Sequence, residues 1–301
     1  MATSSTALEQ LDTGPLAAMP AERKWVTWRR FKRNRLALAG LVIVIIFYLI
    51  AIFAPFIERY PYDQITAGMR LKAPSWEHWM GTDRNGRDVY SRMVNGARVS
   101  LFAGFAAVAI IMTVGVLLGS LAGFFGGWVD NLVMRFTDIL LSIPLILLLI
   151  TAASLFKPGL STTIIVIGLT SWPGAARLIR GQFLALKGQE YVTAARSIGA
   201  SPRRIMFRHL LPNPLAIIIV EATLWLGYAI LLEATLSYLG LGVQIPTPSW
   251  GQLLQDGQRD LIPGAWWMTV FPGIAIFLVV LAFNLMGDGL RDALDPRHRK
   301  R

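Results

Sequence analysis

Six stretches of about twenty predominantly apolar residues recur along this chain, each long enough as a helix to cross a hydrocarbon layer. They run from about Leu36 to Ile57, Leu101 to Phe124, Phe136 to Phe156, Ser161 to Ile179, Leu215 to Leu239 and Trp267 to Met286. Backbone N–H and C=O groups find no water inside a bilayer, so such stretches must bond internally. The expectation is an all-α polytopic membrane protein with six transmembrane helices. Only 16% of the residues are charged, where soluble domains carry about 25%. The fourth stretch is the weakest, because Ser171, Trp172, Pro173 and Gly174 interrupt it.

Charge placement orients the spans. Arg23, Lys24, Arg29, Arg30, Lys32, Arg33 and Arg35 precede the first one, with Trp25, Trp28 and Phe31 interleaved at helical spacing. That pattern predicts an amphipathic helix at the interface and a cytoplasmic N-terminus. Six spans then place both termini inside, at a cell membrane. The inward segments hold 20 of the 29 Lys and Arg residues; seven of the others crowd the first outward loop between Arg59 and Arg98. The chain divides into an N-terminal tail (1–35), a first span (36–57), an external loop (58–98), a five-helix core (99–290) with a cytoplasmic loop (182–213), and a tail (291–301). The first apolar run exceeds a signal-peptide core and no small-x-small site follows it, so it reads as a retained anchor.

Several chemistries are excluded. The net charge of +11 lies in the flanks of spans and in no free-standing basic domain, so the expected partner is the lipid bilayer and not nucleic acid. There is no cysteine, and His78, His209 and His298 are too scattered to make a spaced ligand pair, so no metal is expected. No lysine is followed by Ser or Thr, which rules out a phosphate-cradling G-x-x-x-x-G-K-[ST] loop. The chain therefore reads as neither an enzyme nor a cofactor binder.

One cytoplasmic segment is patterned as a helical hairpin. Tyr191, Ala194, Ala195 and Ile198 fall at i, i+3, i+4 and i+7, giving a small, apolar face. Gly199 stands where the helix would end in a left-handed residue, and Ser201-Pro202 reads as an N-cap with proline at the first helical position. A second helix, Arg203 to Leu211, would stop at Pro212-Asn213-Pro214. On spacing alone this is either a connection lying on the membrane or a docking surface for another protein.

Charges within the spans are costly. Asp138 and Glu233 are candidates to line a path or hold a gate, or to pair with neighbouring helices. Arg84, Arg87, Asp83 and Asp88 would brace the outer loop or meet an external protein. Trp266 and Trp267 read as interfacial anchors. Gly104, Gly115, Gly119 and Gly123 predict close helix packing in the second span.

Residue identities carry a resemblance. Ala194-Ala195, Gly199 and Leu211-Pro212 resemble the "EAA…G…LP" loop of ABC importer permeases, with Thr193 at its glutamate position and His209 at its isoleucine position. Both departures look like the peptide/nickel branch, which has Tyr-Val-x-Ala-Ala-Arg and Arg-His-x-Leu-Pro-Asn. His78 to Asp83, Gly86 to Val89, Glu233 to Gly242, Pro246 to Gly251 and Asn284 to Pro296 are similar to other segments of that family, in order. The chain is identified as a type I ABC importer permease-like protein, of the second-permease ("C"-type) branch of the dipeptide/oligopeptide/nickel family. The resemblance implies a second homologous permease, two ATP-binding subunits that use the ATP, and an external solute-binding protein. It also implies an ATPase-coupling loop containing Glu190, Tyr191, Ala194, Ala195, Arg196, Gly199, Ser201, Pro202, His209 and Pro212. The implied cargo is peptide, with glutathione and nickel as alternatives. A secondary transporter or channel without an ATPase is the alternative class.

Overall fold

The computed structural model describes residues 28–262 and 264–294. The expectations at Arg23, Lys24 and Trp25, and for the tail beyond Leu294, lie outside them. Residues 28–33 are helical, as the amphipathic pattern required. Asn34 then takes an extended conformation and caps α1 (Arg35–Ile57), its side-chain oxygen accepting the N–H groups of Leu36 and Ala37 at 3.1 Å.

α2 (Val89–Phe125) is the spine. Its 37 residues cover about 55 Å, well beyond a hydrocarbon core of about 30 Å. Apolarity alone placed its start at Leu101. Asp88 starts it twelve residues earlier, accepting Ser91 N–H at 2.7 Å, and the extension stands among the loop residues 58–88. The next expected span is corrected more severely. A helix begins at Gly127 (α3, Gly127–Ser142), breaks, and resumes as α4 (Leu145–Ser154) at 92° to the first piece. Pro144 is the cause: it forces Ile143 into extended backbone (φ −96°, ψ 131°) and brings no N–H to continue the ladder.

α5 (Leu160–Thr170) and α6 (Pro173–Lys187) meet at the expected Ser171-Trp172 interruption and together are long and apolar enough to cross. α7 (Glu190–Ser197) and α8 (Pro202–Arg204) form the hairpin, and α9 (Leu215–Tyr238) returns through the bundle. α10 (Trp250–Asp260) is a short helix the hydropathy reading did not anticipate. α11 (Trp267–Leu294) runs eight residues past the expected end. Among the described residues, five helices could each cross a membrane, or six spans if the α3–α4 pair counts as one.

The core is continuous along α2. One cluster joins Met93, Ala97 and Leu101 to Ile230 of α9, Trp250 of α10 and Val279 and Phe283 of α11. A second joins Ala107, Val108 and Ile111 to Leu149, Ile167 and Leu236. The glycines of α2 let a partner helix sit against its backbone. A Cβ at Gly115 would lie 2.6 Å from Ala175 Cβ, one at Gly119 would collide with the Ala176 carbonyl oxygen, and one at Gly123 would lie 2.6 Å from Phe183 Cβ. All three neighbours belong to α6, so the stripe serves packing within this chain.

Candidate functional site

The hairpin stands at the Phe125 end of α2, opposite the 58–88 loop. Its first helix closes with the expected left-handed glycine. Gly199 has φ +78°, its N–H donates to the Arg196 carbonyl at 2.9 Å, and Ala200 N–H donates to Ala195 at 3.0 Å. This paired termination satisfies two carbonyls that the helix end would otherwise orphan. Ser201 then caps the second helix, its hydroxyl accepting Arg204 N–H at 3.4 Å, with Pro202 in the first turn.

Beyond Arg204 the regular helix expected as far as Leu211 is corrected. Ile205–Leu210 winds as a π-helix, and Leu211 N–H reaches back five residues to Met206 at 2.9 Å. The wider turn brings Ile205, Met206 and Leu210 to one side, where all three are buried. Asn213 closes the segment, its amide donating to the His209 carbonyl at 2.7 Å and to the Tyr191 hydroxyl at 3.3 Å. Pro212 is exposed, and Pro214 precedes α9.

The expected apolar face divides in two. Ala195 is 5% exposed and turns inward beside Val192, packing with Phe124, Ile179, Phe183, Ile205, Met206 and Leu210. Tyr191, Ala194 and Ile198 turn outward, and Ile198 is 86% exposed. Glu190, Arg196, Gly199, Ser201 and Pro202 share the exposed side, while His209 is half-buried. Val192 and Leu210 went unmarked in the sequence, yet they fasten the hairpin to α2 and α6.

Two ion pairs tie α3 to α6. Arg180 reaches Asp130 (Nη2 to Oδ2, 2.6 Å), and Arg177 pairs with Asp138. The second pair is half-exposed on both sides. Asp138 lies eleven residues from Gly127 and Arg177 ten from Lys187, which is about 15 Å along each axis from the hairpin end.

Glu233 differs. It has no exposed surface, so it lines no open path in this structure. Its Oε1 accepts the Ser237 hydroxyl at 2.7 Å, and that hydroxyl accepts Val243 N–H at 3.2 Å. The carboxyl thereby ties α9 to the turn that follows it.

At the opposite end, the crowded loop charges are bracing. Asp83 accepts from Arg87 at 2.6 Å and from Arg92 at 2.7 Å, Arg92 also meets Asp256 of α10 at 3.3 Å, and Arg84 reaches Asp260 at 2.8 Å. Asp88 holds His78 at 2.8 Å. Trp267 is corrected: it is buried, its indole N–H donating to the Thr82 carbonyl at 3.2 Å, and only Trp266 stays half-exposed.

A spine of long apolar helices with a pinned hairpin at one end and a braced loop at the other defines a helical polytopic membrane protein. Residues 115–300 match the model of the binding-protein-dependent transport system inner membrane component family. Residues 25–74 match the N-terminal transmembrane domain of oligopeptide transport permease C. The chain is 47% identical over 270 residues to a dipeptide transport system permease protein of Alkalihalophilus pseudofirmus, covering 90% of this chain and 88% of that one. It is 45% identical over 271 residues to an oligopeptide transport system permease protein of Bacillus subtilis, covering 90% and 88%. It is 46% identical over 276 residues to a glutathione transport system permease protein of Escherichia coli, covering 90% and 89%. Among solved structures, inward-facing MetNI methionine ABC transporter shares the fold, with a TM-score of 0.56 at 22% identity over 69% of this chain and 98% of that one. The protein belongs to the family of binding-protein-dependent transport system inner membrane components, the permeases of ABC importers.

Proposed function

We propose that this chain forms half of the translocation pathway of an ATP-driven peptide importer, and that its hairpin receives the motion supplied by a separate ATPase subunit. One observation carries the coupling. The hairpin is capped at its turn, rooted by Val192, Ala195 and Leu210, and leaves Tyr191, Ala194 and Ile198 open to a partner. Tyr191 and Ile198 give that open face apolar area that a partner can cover. A push on that face is delivered through Phe183 and Ile179 to α6, and through Phe124 to α2. The rigid hairpin is then the element that both nucleotide state and cargo state bias.

The remaining assembly follows from the family: a second homologous permease completes the path, two ATP-binding subunits grip the inner face, and an external binding protein delivers cargo at the 58–88 loop. The hairpin end and both termini lie in the cytoplasm of a cell whose inner membrane the chain spans. The half-exposed Asp138–Arg177 pair faces the path or the second permease. Glu233 acts as a tether near the outer end, holding the turn that a moving gate would pivot on. The peptide class is supported by the names of the relatives; glutathione, itself a tripeptide, falls in the same chemical class.

The test is reconstitution of the chain with its partner subunits and binding protein in proteoliposomes. Peptide accumulation is expected only with internal access to ATP. Accumulation by this chain alone, following an imposed ion gradient, overturns the proposal.

A further inference from the structure

The first and last long helices meet where the described residues begin and end. Phe31, Ala37 and Ala293 pack together with Leu41, Met286 and Leu290, and Gly289 lets Ala37 approach closely. Beside this contact lies an open cleft of about 330 Å³, lined by Arg30, Arg33 and Asn34 on one side and Gly289, Asp292 and Ala293 on the other. Its depth is fixed by the helices. Asn34 caps the start of a 23-residue span, and Asp292 stands in the last turn of α11. A helix of that length just crosses the hydrocarbon, so its capped end is at the headgroups.

The chemistry of the cleft suits an anion of the membrane surface. Among the described residues, no carboxylate lies within 4.0 Å of Arg29, Arg30, Lys32, Arg33 or Arg35. Among the described residues lining the cleft, Asp292 is the one acidic group against two guanidinium groups. Trp28 is exposed, stacks on Phe31 at 5.9 Å and carries the Lys32 ammonium 5.0 Å above its ring, the amphipathic arrangement of a side chain seated at an interface. The sequence adds to the charge, since Arg297, Arg299, Lys300 and Arg301 follow α11 directly. These four lie outside the described residues and count only as charge carried by the sequence after α11.

We propose that this cleft binds the phosphate headgroup of an anionic glycerophospholipid, held between Arg30 and Arg33, and that the bound lipid fastens the 28–33 helix and the end of α11 to the bilayer. Clusters of four to eight basic residues beside a span attract anionic headgroups at about 1 kcal/mol for each charge. Removing two charges should weaken the interaction about 30-fold, which corresponds to about 2 kcal/mol at 1.4 kcal/mol per tenfold.

The test uses the full-length chain purified in mild detergent, with retained lipid measured by native mass spectrometry against added phosphatidylglycerol or phosphatidylcholine. Wild type should retain phosphatidylglycerol selectively. Arg30→Gln/Arg33→Gln should lose that selectivity, whereas Arg203→Gln/Arg204→Gln, an equal change of charge on the hairpin, should keep it. Circular dichroism of each variant checks that the helices remain. Equal phosphatidylglycerol retention by wild type and the Arg30/Arg33 variant overturns the proposal. Displacement of the lipid by excess inorganic phosphate also overturns it, because the cleft would then be a site for free anions.

Discussion

Ala194 and Ala195 are neighbours in sequence, yet the structure assigns them opposite fates, and one substitution made at each position tests that assignment. Aspartate is the informative choice, because its short side chain cannot carry the charge out of a packed site and its helix-propensity cost, up to about 0.7 kcal/mol, is shared by both variants. At position 195 the carboxylate would enter a cluster of Phe124, Phe183, Val192 and Leu210, each under 10% exposed and none able to pair with it. An unpartnered charge in such a place costs about 3–5 kcal/mol. At position 194 the same group points to solvent and costs little beyond propensity.

The penalty falls on the attachment of the hairpin and not on the whole bundle, because Val192 to Leu210 can lift away while the long helices stay packed. Hydrogen exchange on the purified chain is the direct assay. Ala195→Asp should speed exchange of the Ala200 and Leu211 amides, both bonded within the hairpin, by about 100-fold or more. Ala194→Asp should leave those amides protected. Both variants should lose capture of the ATPase subunit, the first because the hairpin detaches and the second because the docking face carries a buried charge on binding. Equal exchange in the two variants would refute the inward assignment of Ala195. Retained capture by Ala194→Asp, with protection intact, would refute the outward face as the docking surface.

Two further substitutions probe the frame. Gly119→Val should destabilise the chain by about 1–3 kcal/mol and separate α2 from α6, because its Cβ meets the Ala176 carbonyl and lies 3.0 Å from Ala176 Cα, backbone atoms that cannot turn aside; a melting temperature unchanged from wild type would contradict this packing. Arg92→Met should cost about 2–3 kcal/mol, since Asp256 is left with Arg87 at 4.0 Å and Asp83 with Arg87 and the N–H groups of Asn85 and Arg87; thermal unfolding of the purified chain reads the loss, and Asp256→Asn should be milder because Asp256 is partly exposed.

Most of the fold was legible because lipid imposes one rule on the backbone and the apolar runs obey it. Where the reading failed, a local residue outweighed hydropathy. Asp88 supplied a cap that extended α2 beyond the apolar stretch, and Pro144 broke a run that looks continuous on a hydropathy scale. Both signals were present in the sequence as capping and proline chemistry. The turn of the hairpin was equally legible, since Gly199, Ser201 and Pro202 act within a few residues of themselves. The direction of each face was not. Helical spacing groups Tyr191, Ala194, Ala195 and Ile198, but which edge of that arc turns inward depends on Phe124 and Phe183, residues that arrive from two other helices. The pairing of Asp138 with Arg177, and of Arg92 with Asp256, likewise joins residues whose separation carries no periodic mark. For this chain local chemistry specifies where helices begin, end and turn, whereas the exposed surface proposed to meet a partner is decided only when distant helices pack. The proposed docking surface is therefore the part of this permease least readable from its sequence, even though its motif is the part most readily recognised.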